Sequence, residues 1–380
     1  MEWWYYLPVV FYVLWVFLFG LGVGSFLNVL IARLPYDKSI IWPSSRCMSC
    51  LRPIKLLDNL PILGYLRLRG KCRFCGQTFS SRYLWVELGT GLAFVALYTV
   101  EVLTSSSLFA SQWHYMPGLK FGNVAFNLPP LKVWVFFAHH AFLLSILIAA
   151  ALIDLEHRII PPVLTYTGTI IGILASTLLP WPWPNGLETL PLLPQFPLPA
   201  ATNWGDIRLA GRIPTGVMPY PFAGPPPDWC PPGSTLLGLL NGLIGAAAGM
   251  IVGRGIKWGF EVGFGQEALG LGDADLLMCI GAFLGWQVAV LALPVGAFVA
   301  LAVILPLIVW RLIRRRKVRT DLPFGPGIAA GAVFTWIFWP WIGELVRFPS
   351  FDWMASGVVA VVVGVGLLAA GLILRRRREV

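Results

Sequence analysis

Two aspartates and four cysteines are the residues of this 380-residue chain whose type and spacing could do chemistry. Gly270-Leu271-Gly272-Asp273-Ala274-Asp275 heads one long apolar run, and Ile153-Asp154-Leu155-Glu156-His157-Arg158-Ile159-Ile160-Pro161 closes another. A carboxylate at such an edge is costly unless it is paired or wetted. Two carboxylates brought close together cannot both ionise cheaply, so one keeps a proton and the other does not. Such a pair supplies a general acid and a general base to one water and suits attack on a peptide carbonyl. Gly270 and Gly272 carry no Cβ, which lets the backbone turn sharply and an extended substrate strand approach Asp273.

Cys47-x-x-Cys50 and Cys72-x-x-Cys75 are separated by 21 residues, close to zinc-ribbon spacing. Each pair offers two thiolates from one tight turn, and two such turns complete a tetrahedral all-sulfur site. Four thiolates leave no open position, so the zinc expected here is structural. Cys230 and Cys279 have no such partners and read as packing residues.

The elements that must position these groups are membrane helices. The chain is 57% hydrophobic and 12% charged, against roughly 25% charged in a soluble domain. A span needs roughly 20 mostly apolar residues, and about nine segments qualify. They are 8–31, 83–103, 131–153, 162–180, 235–252, 274–293, 295–310, 325–343 and 355–374, with Pro294 read as a hairpin boundary. The fold class expected is an all-α polytopic membrane protein with about nine transmembrane helices and a small cytoplasmic four-cysteine metal-binding loop domain.

With the N-terminus placed outside, 23 of the 28 Lys and Arg residues fall on the cytoplasmic side. The C-terminus, Asp154 and Asp273 then lie on that same side. The net charge of +10 follows from this placement and from the Arg375-Arg376-Arg377-Arg378 anchor, not from nucleic-acid binding. Residues 104–130 and the proline-rich 181–234 form extracytoplasmic loops. Glu156 and Asp275 point away from the faces of their aspartate neighbours and read as solvated or pore-lining. His139 and His140 read as buried hydrogen-bonding residues, because no carboxylate lies at helical spacing from them.

The same residues resemble the type IV prepilin peptidases, also called leader peptidase/N-methyltransferases, which share the GxGD motif with presenilin-type proteases. The resemblance rests on Gly24-Ser25-Phe26-Leu27-Asn28 through Arg33-Leu34-Pro35, the two CxxC pairs, Asp58-Asn59-Leu60-Pro61, Arg82-Tyr83 with Glu87, Asp154 with Ile160-Pro161, Gly270-x-Gly272-Asp273, and Pro323-Phe324-Gly325-Pro326. It implies an aspartic endopeptidase of the bacterial inner membrane, with Asp154 and Asp273 catalytic at the cytoplasmic face. Its substrates would be prepilins or pseudopilins, cleaved after a glycine. Members with the cysteine loop also methylate the new N-terminal residue with S-adenosylmethionine, for which no binding residues stand out here. In these terms 1–31 is the first span, 32–82 the basic four-cysteine loop, and 83–380 the multi-span core with the loop 181–234 and an additional span 355–374. Asp275 departs from the pattern, which carries a basic residue at that position. A transporter or channel using the aspartates as a proton or ion relay is the alternative reading. Against it, both carboxylates lie at one face and no inverted repeat is visible.

Overall fold

The computed structural model describes residues 7–103, 131–180, 229–265 except 232, 269–313 and 323–339, with 342, 357, 358, 362, 364 and 366 singly. Within them the chain is helical, without strands, and divides into two compact units, Met1–Ile153 and Asp154–Val380. Five helices are long and apolar enough to cross a bilayer, and two shorter apolar helices, Pro162–Leu178 and Gly325–Ile337, accompany them. The expected loops 104–130 and most of 181–234 lie outside the described residues, as does nearly all of the span expected at 355–374.

The first unit contains α1 (Leu7–Arg33), a short α2 (Leu63–Arg67), α3 (Arg82–Tyr98) and α4 (Leu131–His157) as far as Ile153. Lipid tails are as apolar as leucine, so membrane helices gain most from close backbone approach at small residues. Helices α1 and α3 do this at Gly20 and Gly24. A Cβ on either would come within 2.9 Å of Gly91 Cα or 2.7 Å of Glu87 Cα. Around Trp134 the α4 end of the unit is aromatic, with Tyr12, Trp15 and Tyr98 rings all 5.6 Å from it. Helix α3 runs on as a π-helical turn, Thr99–Leu103. Within that turn buried Glu101 meets buried His140 of α4, Oε1 to Nδ1 at 2.6 Å. The histidine does have a carboxylate partner, supplied by another helix.

The second unit contains the last turn of α4, α5 (Pro162–Leu178), α6 (Thr235–Phe264), α7 (Leu271–Ile313) and α8 (Gly325–Ile337). Helix α6 begins at an N-cap, Ser234, whose side chain accepts from Leu237 N–H, and ends at Gly265 in the left-handed conformation. The head of α7 is buried on every face from Asp273 to Gly285 and packs against α5, α6 and α8. Such all-round burial marks a central helix. The contact with α6 is made by Gly245, Gly249 and Gly253, where added Cβ atoms would lie 2.0 Å from Gly281 O, 2.2 Å from Leu277 O and 2.7 Å from Ala274 Cα. Helix α5 is tied to α7 by Ser176, whose hydroxyl donates to the Ala282 carbonyl at 2.8 Å.

Pro294 is not the hairpin boundary expected from the sequence. Helix α7 passes through it, and the chain leaves helical geometry at Gly285 instead (φ 81°, ψ 170°). Proline removes one hydrogen bond, which a membrane helix tolerates, whereas that glycine conformation ends helical geometry outright. The expected spans 274–293 and 295–310 are therefore one run of helix broken at Gly285, and about nine spans are not reached among the described residues.

Candidate active site and metal centre

Asp154 sits in the last turn of α4, and Asp273 in the first turn of α7. Helix α4 ends three residues after Asp154, where Arg158 adopts φ 57° and its N–H donates to the Asp154 carbonyl at 2.9 Å. The turn then leads through Ile160 into Pro161 and Pro162, which cap and open α5. Ile160 rests on Gly272. A Cβ at Gly272 would stand 2.9 Å from Ile160 Cβ and 3.1 Å from its carbonyl oxygen. The missing side chain thus lets the turn after Asp154 dock on the first turn of α7, one residue from Asp273.

Both aspartates are buried, with 6% of Asp154 and 9% of Asp273 exposed. Of the two, Asp273 lies within the electrostatic reach of Asp154. Each carboxylate is oriented by one backbone N–H from a glycine. Gly270 N–H donates to Asp273 Oδ2 at 2.9 Å, and Gly325 N–H donates to Asp154 Oδ2 at 2.8 Å. Gly325 opens α8, and from the sequence it has only a place in the Pro323-Phe324-Gly325-Pro326 motif, with no role of its own. It touches Asp154 so closely that an added Cβ would lie 2.6 Å from Oδ2. Three motifs far apart in the chain, around Asp154, Asp273 and Gly325, therefore meet at one place in the second unit. Arg158 is the cation acting on Asp154.

The neighbouring carboxylates divide. Glu156 is exposed, as its position predicts. Asp275 is not solvated: it is 5% exposed, and its carboxylate meets the Arg254 guanidinium of α6 at 3.7 Å. The buried head of α7 leaves no solvated face for it, and a cation on the adjacent helix replaces water.

In the first unit the two CxxC segments form matching knuckles. In each, the N–H of the residue after the second cysteine donates to the carbonyl of the first, Leu51 to Cys47 and Gly76 to Cys72. The first cysteine's N–H then donates across the turn, Cys47 to Arg52 and Cys72 to Gln77. Both turns need a left-handed residue, Leu51 at φ 57° and Gly76 at φ 72°. All four thiol sulfurs lie within 4.8 Å of one another, with Cys47 Sγ to Cys75 Sγ at 3.7 Å and Cys50 Sγ to Cys72 Sγ at 3.9 Å. A tetrahedral zinc with sulfurs at about 2.3 Å places them about 3.8 Å apart, the spacing at which these two pairs already stand, so the donor set suits a zinc-type ion. The N–H groups of Cys50 and Ser49 pull the Cys47 thiol down to about 6, which favours the thiolate a metal requires. The knuckles are braced by Arg52 over the Phe74 ring at 5.1 Å and by Arg73, whose Nε donates to Asp58 at 2.6 Å.

Comparison with known proteins identifies the family. Residues 18–101 match the bacterial peptidase A24 N-terminal domain. The prepilin leader peptidase/N-methyltransferase of Klebsiella pneumoniae is 30% identical over 71% of this chain and 84% of its own length. The protein of that name from Aeromonas hydrophila is 29% identical over 87% of this chain and 91% of its own. That from Myxococcus xanthus (strain DK1622) is 31% identical over 73% of this chain, but the match spans 57% of its length. No solved structure matches significantly. The chain belongs to the prepilin leader peptidase/N-methyltransferase family.

Proposed function

We propose that this chain is a multi-pass inner-membrane aspartic endopeptidase. It removes the leader of type IV prepilins or pseudopilins at the cytoplasmic face and then methylates the new N-terminus. The observation that carries the peptidase reading is the pair of buried aspartates, brought together where Ile160 docks on Gly272 and each held by one glycine N–H. The relatives' shared name carries the methylation.

In the proposed cleavage Asp154 and Asp273 share one proton. The ionised member takes a proton from a water held between them, and the oxygen attacks the scissile carbonyl. The protonated member donates to the carbonyl oxygen and later to the leaving amine. Gly270 and Gly325 keep the two carboxylates from turning away. Their N–H groups hold one oxygen of each, leaving the second free for water. Cys47, Cys50, Cys72 and Cys75 hold a zinc-type ion whose work is to fix the two knuckles. In this reading the N-terminus lies outside and the C-terminus inside, an orientation that the placement of basic residues supports.

The test is co-expression with a prepilin, followed by mass spectrometry of the pilin N-terminus. Asp154→Asn and Asp273→Asn, each at normal protein level, are expected to abolish cleavage. Normal processing by either variant rejects the dyad.

A further inference from the structure

A cavity of about 720 Å³ lies wholly within the first unit, between the inner ends of α1 and α3 and the two cysteine knuckles. It is far from small for a ligand site, which typically encloses roughly 300–1,000 Å³. None of the residues used in the proposed cleavage lines it. Both knuckles form part of its wall, through Cys47 on one and Gln77 on the other.

Its polar floor is unusual. Asn28 is 3% exposed, and its Nδ2 donates to the Tyr83 carbonyl at 3.1 Å. A carbonyl needs a donor, so the amide cannot be turned the other way. Its Oδ1 is left buried with no partner. A buried acceptor without a donor costs about 1–3 kcal/mol and asks for an explanation. Beside it is Glu87, 8% exposed and held by neutral donors, the Ile62 N–H at 2.7 Å and the Ser25 hydroxyl. Asp58, the other carboxylate of the lining, is already engaged by Arg73. The rings of Trp42, Tyr65 and Tyr83 complete the wall. The cavity therefore offers a buried carboxylate, an idle hydrogen-bond acceptor and flat apolar faces, and its lining also holds Arg33, Lys38 and Arg46, which suit a carboxylate on the same ligand. Its complement is a planar, N–H-bearing base joined to a cationic centre.

We propose that this cavity binds S-adenosylmethionine. Glu87 faces the positive charge of the donor, Asn28 Oδ1 accepts from one of its N–H groups, and the aromatic wall receives the adenine. The inference rests on the reading of the chain as a methyltransferase and gives that activity its missing site. In the transfer itself, the pilin amine's lone pair forms the new C–N bond. The C–S bond breaks with its electrons going to sulfur, S-adenosylhomocysteine leaves, and the amine's proton passes to water. The knuckles' metal acts only by keeping the wall in place.

The experiment uses the purified full chain in detergent and measures binding of radiolabelled S-adenosylmethionine, with prepilin cleavage followed on the same preparations. Glu87→Gln removes the charge while keeping the shape. Ala32→Phe fills the cavity from α1, which Ala32 lines. Each is expected to weaken donor binding at least about tenfold, roughly 1.4 kcal/mol, and to yield pilin that is cleaved but unmethylated. Retained cleavage shows that the variants fold. Wild-type binding in both variants overturns the proposal, as does a wild-type chain that cleaves prepilin but binds no donor. A wild-type chain that binds the donor but leaves prepilin intact overturns the peptidase reading and not this site.

Discussion

Gly325→Ala tests the site most sharply, because it adds a single carbon against a carboxylate of the proposed dyad. That carbon would lie 2.6 Å from Asp154 Oδ2 and 3.1 Å from both Cβ and Cγ. Ordinary contact begins near 3.4 Å, so the carboxylate must retreat by about 0.8 Å. The retreat stretches or breaks the 2.8 Å hydrogen bond from Gly325 N–H. A hydrogen bond to a charged group is worth about 1.5–3 kcal/mol, and a misplacement of about 1 Å in a catalytic constellation costs about 100-fold. These are two views of one displacement and do not add. The expected outcome is a fall in kcat of roughly 10- to 100-fold, with KM for prepilin changed by less than about threefold. The assay is a time course of prepilin cleavage by purified full-length protein, with donor binding by the first unit as the folding control. The other two glycines set a scale. At Gly270 a Cβ would be 3.3 Å from Asp273 Oδ2, and alanine keeps the N–H that donates there. Gly270→Ala should therefore cost less than about threefold. Gly272→Ala, which collides with Ile160 and not with a carboxylate, should fall between them. Wild-type turnover by Gly325→Ala, or a larger loss at Gly270 than at Gly325, would refute this assignment of the two carboxylates.

Three further outcomes follow from pairs and clusters outside the dyad. Arg254→Ala leaves Asp275 buried without its cation and should destabilise by about 1–3 kcal/mol, moderated because Arg254 itself is half exposed. Adding Asp275→Asn should recover part of that loss in thermal inactivation half-life, and strictly additive losses would dissolve the pair. Elemental analysis of the purified chain should find about one zinc-type ion per chain. Cys47→Ser and Cys72→Ser should each lose most of it, and full retention by either removes that residue from the site. His140→Ala strands Glu101 and should cost about 1–3 kcal/mol, whereas Glu101→Gln keeps a hydrogen bond to the ring and should cost less. Equal losses would mean that the 2.6 Å contact between them contributes no specific stability.

What could be read from the sequence was governed by short range. The CxxC pairs predicted a knuckle because the four-residue turn alone brings two sulfurs together, and both turns have the same hydrogen bonds. GxGD predicted a carboxylate at a helix start, and Asp273 is in the first turn of α7. What could not be read were partners supplied from far along the chain. The Gly325 N–H on Asp154 crosses 171 residues, and the contact of Glu101 with His140 crosses 39. No periodicity carries such information. Asp275 was misread for the same reason: helical spacing turned it away from Asp273, but spacing does not say that Arg254 of α6 waits on the side it faces.

The misplaced break in α7 teaches something more general about glycine in membrane helices. Pro294 looked like the stronger punctuation, yet Gly285 is where the helix breaks. Gly285 lies at the end of the contact that α6 makes through Gly245, and an added Cβ at Gly245 would come within 3.1 Å of Gly285 Cα. Close backbone approach at Gly245, Gly249 and Gly253 pins the segment from Ala274 to Gly285 against α6. The same contact fixes the position of Asp273, which is one residue before Ala274. The glycine stripe on α6 was in plain view at four-residue spacing, and it positions the head of α7 more directly than either aspartate of the proposed dyad. A bulky side chain at Gly249, where a Cβ would already be 2.2 Å from the Leu277 carbonyl oxygen, should displace the whole head of α7. It should therefore lose cleavage as completely as Asp273→Asn while leaving both aspartates in the sequence.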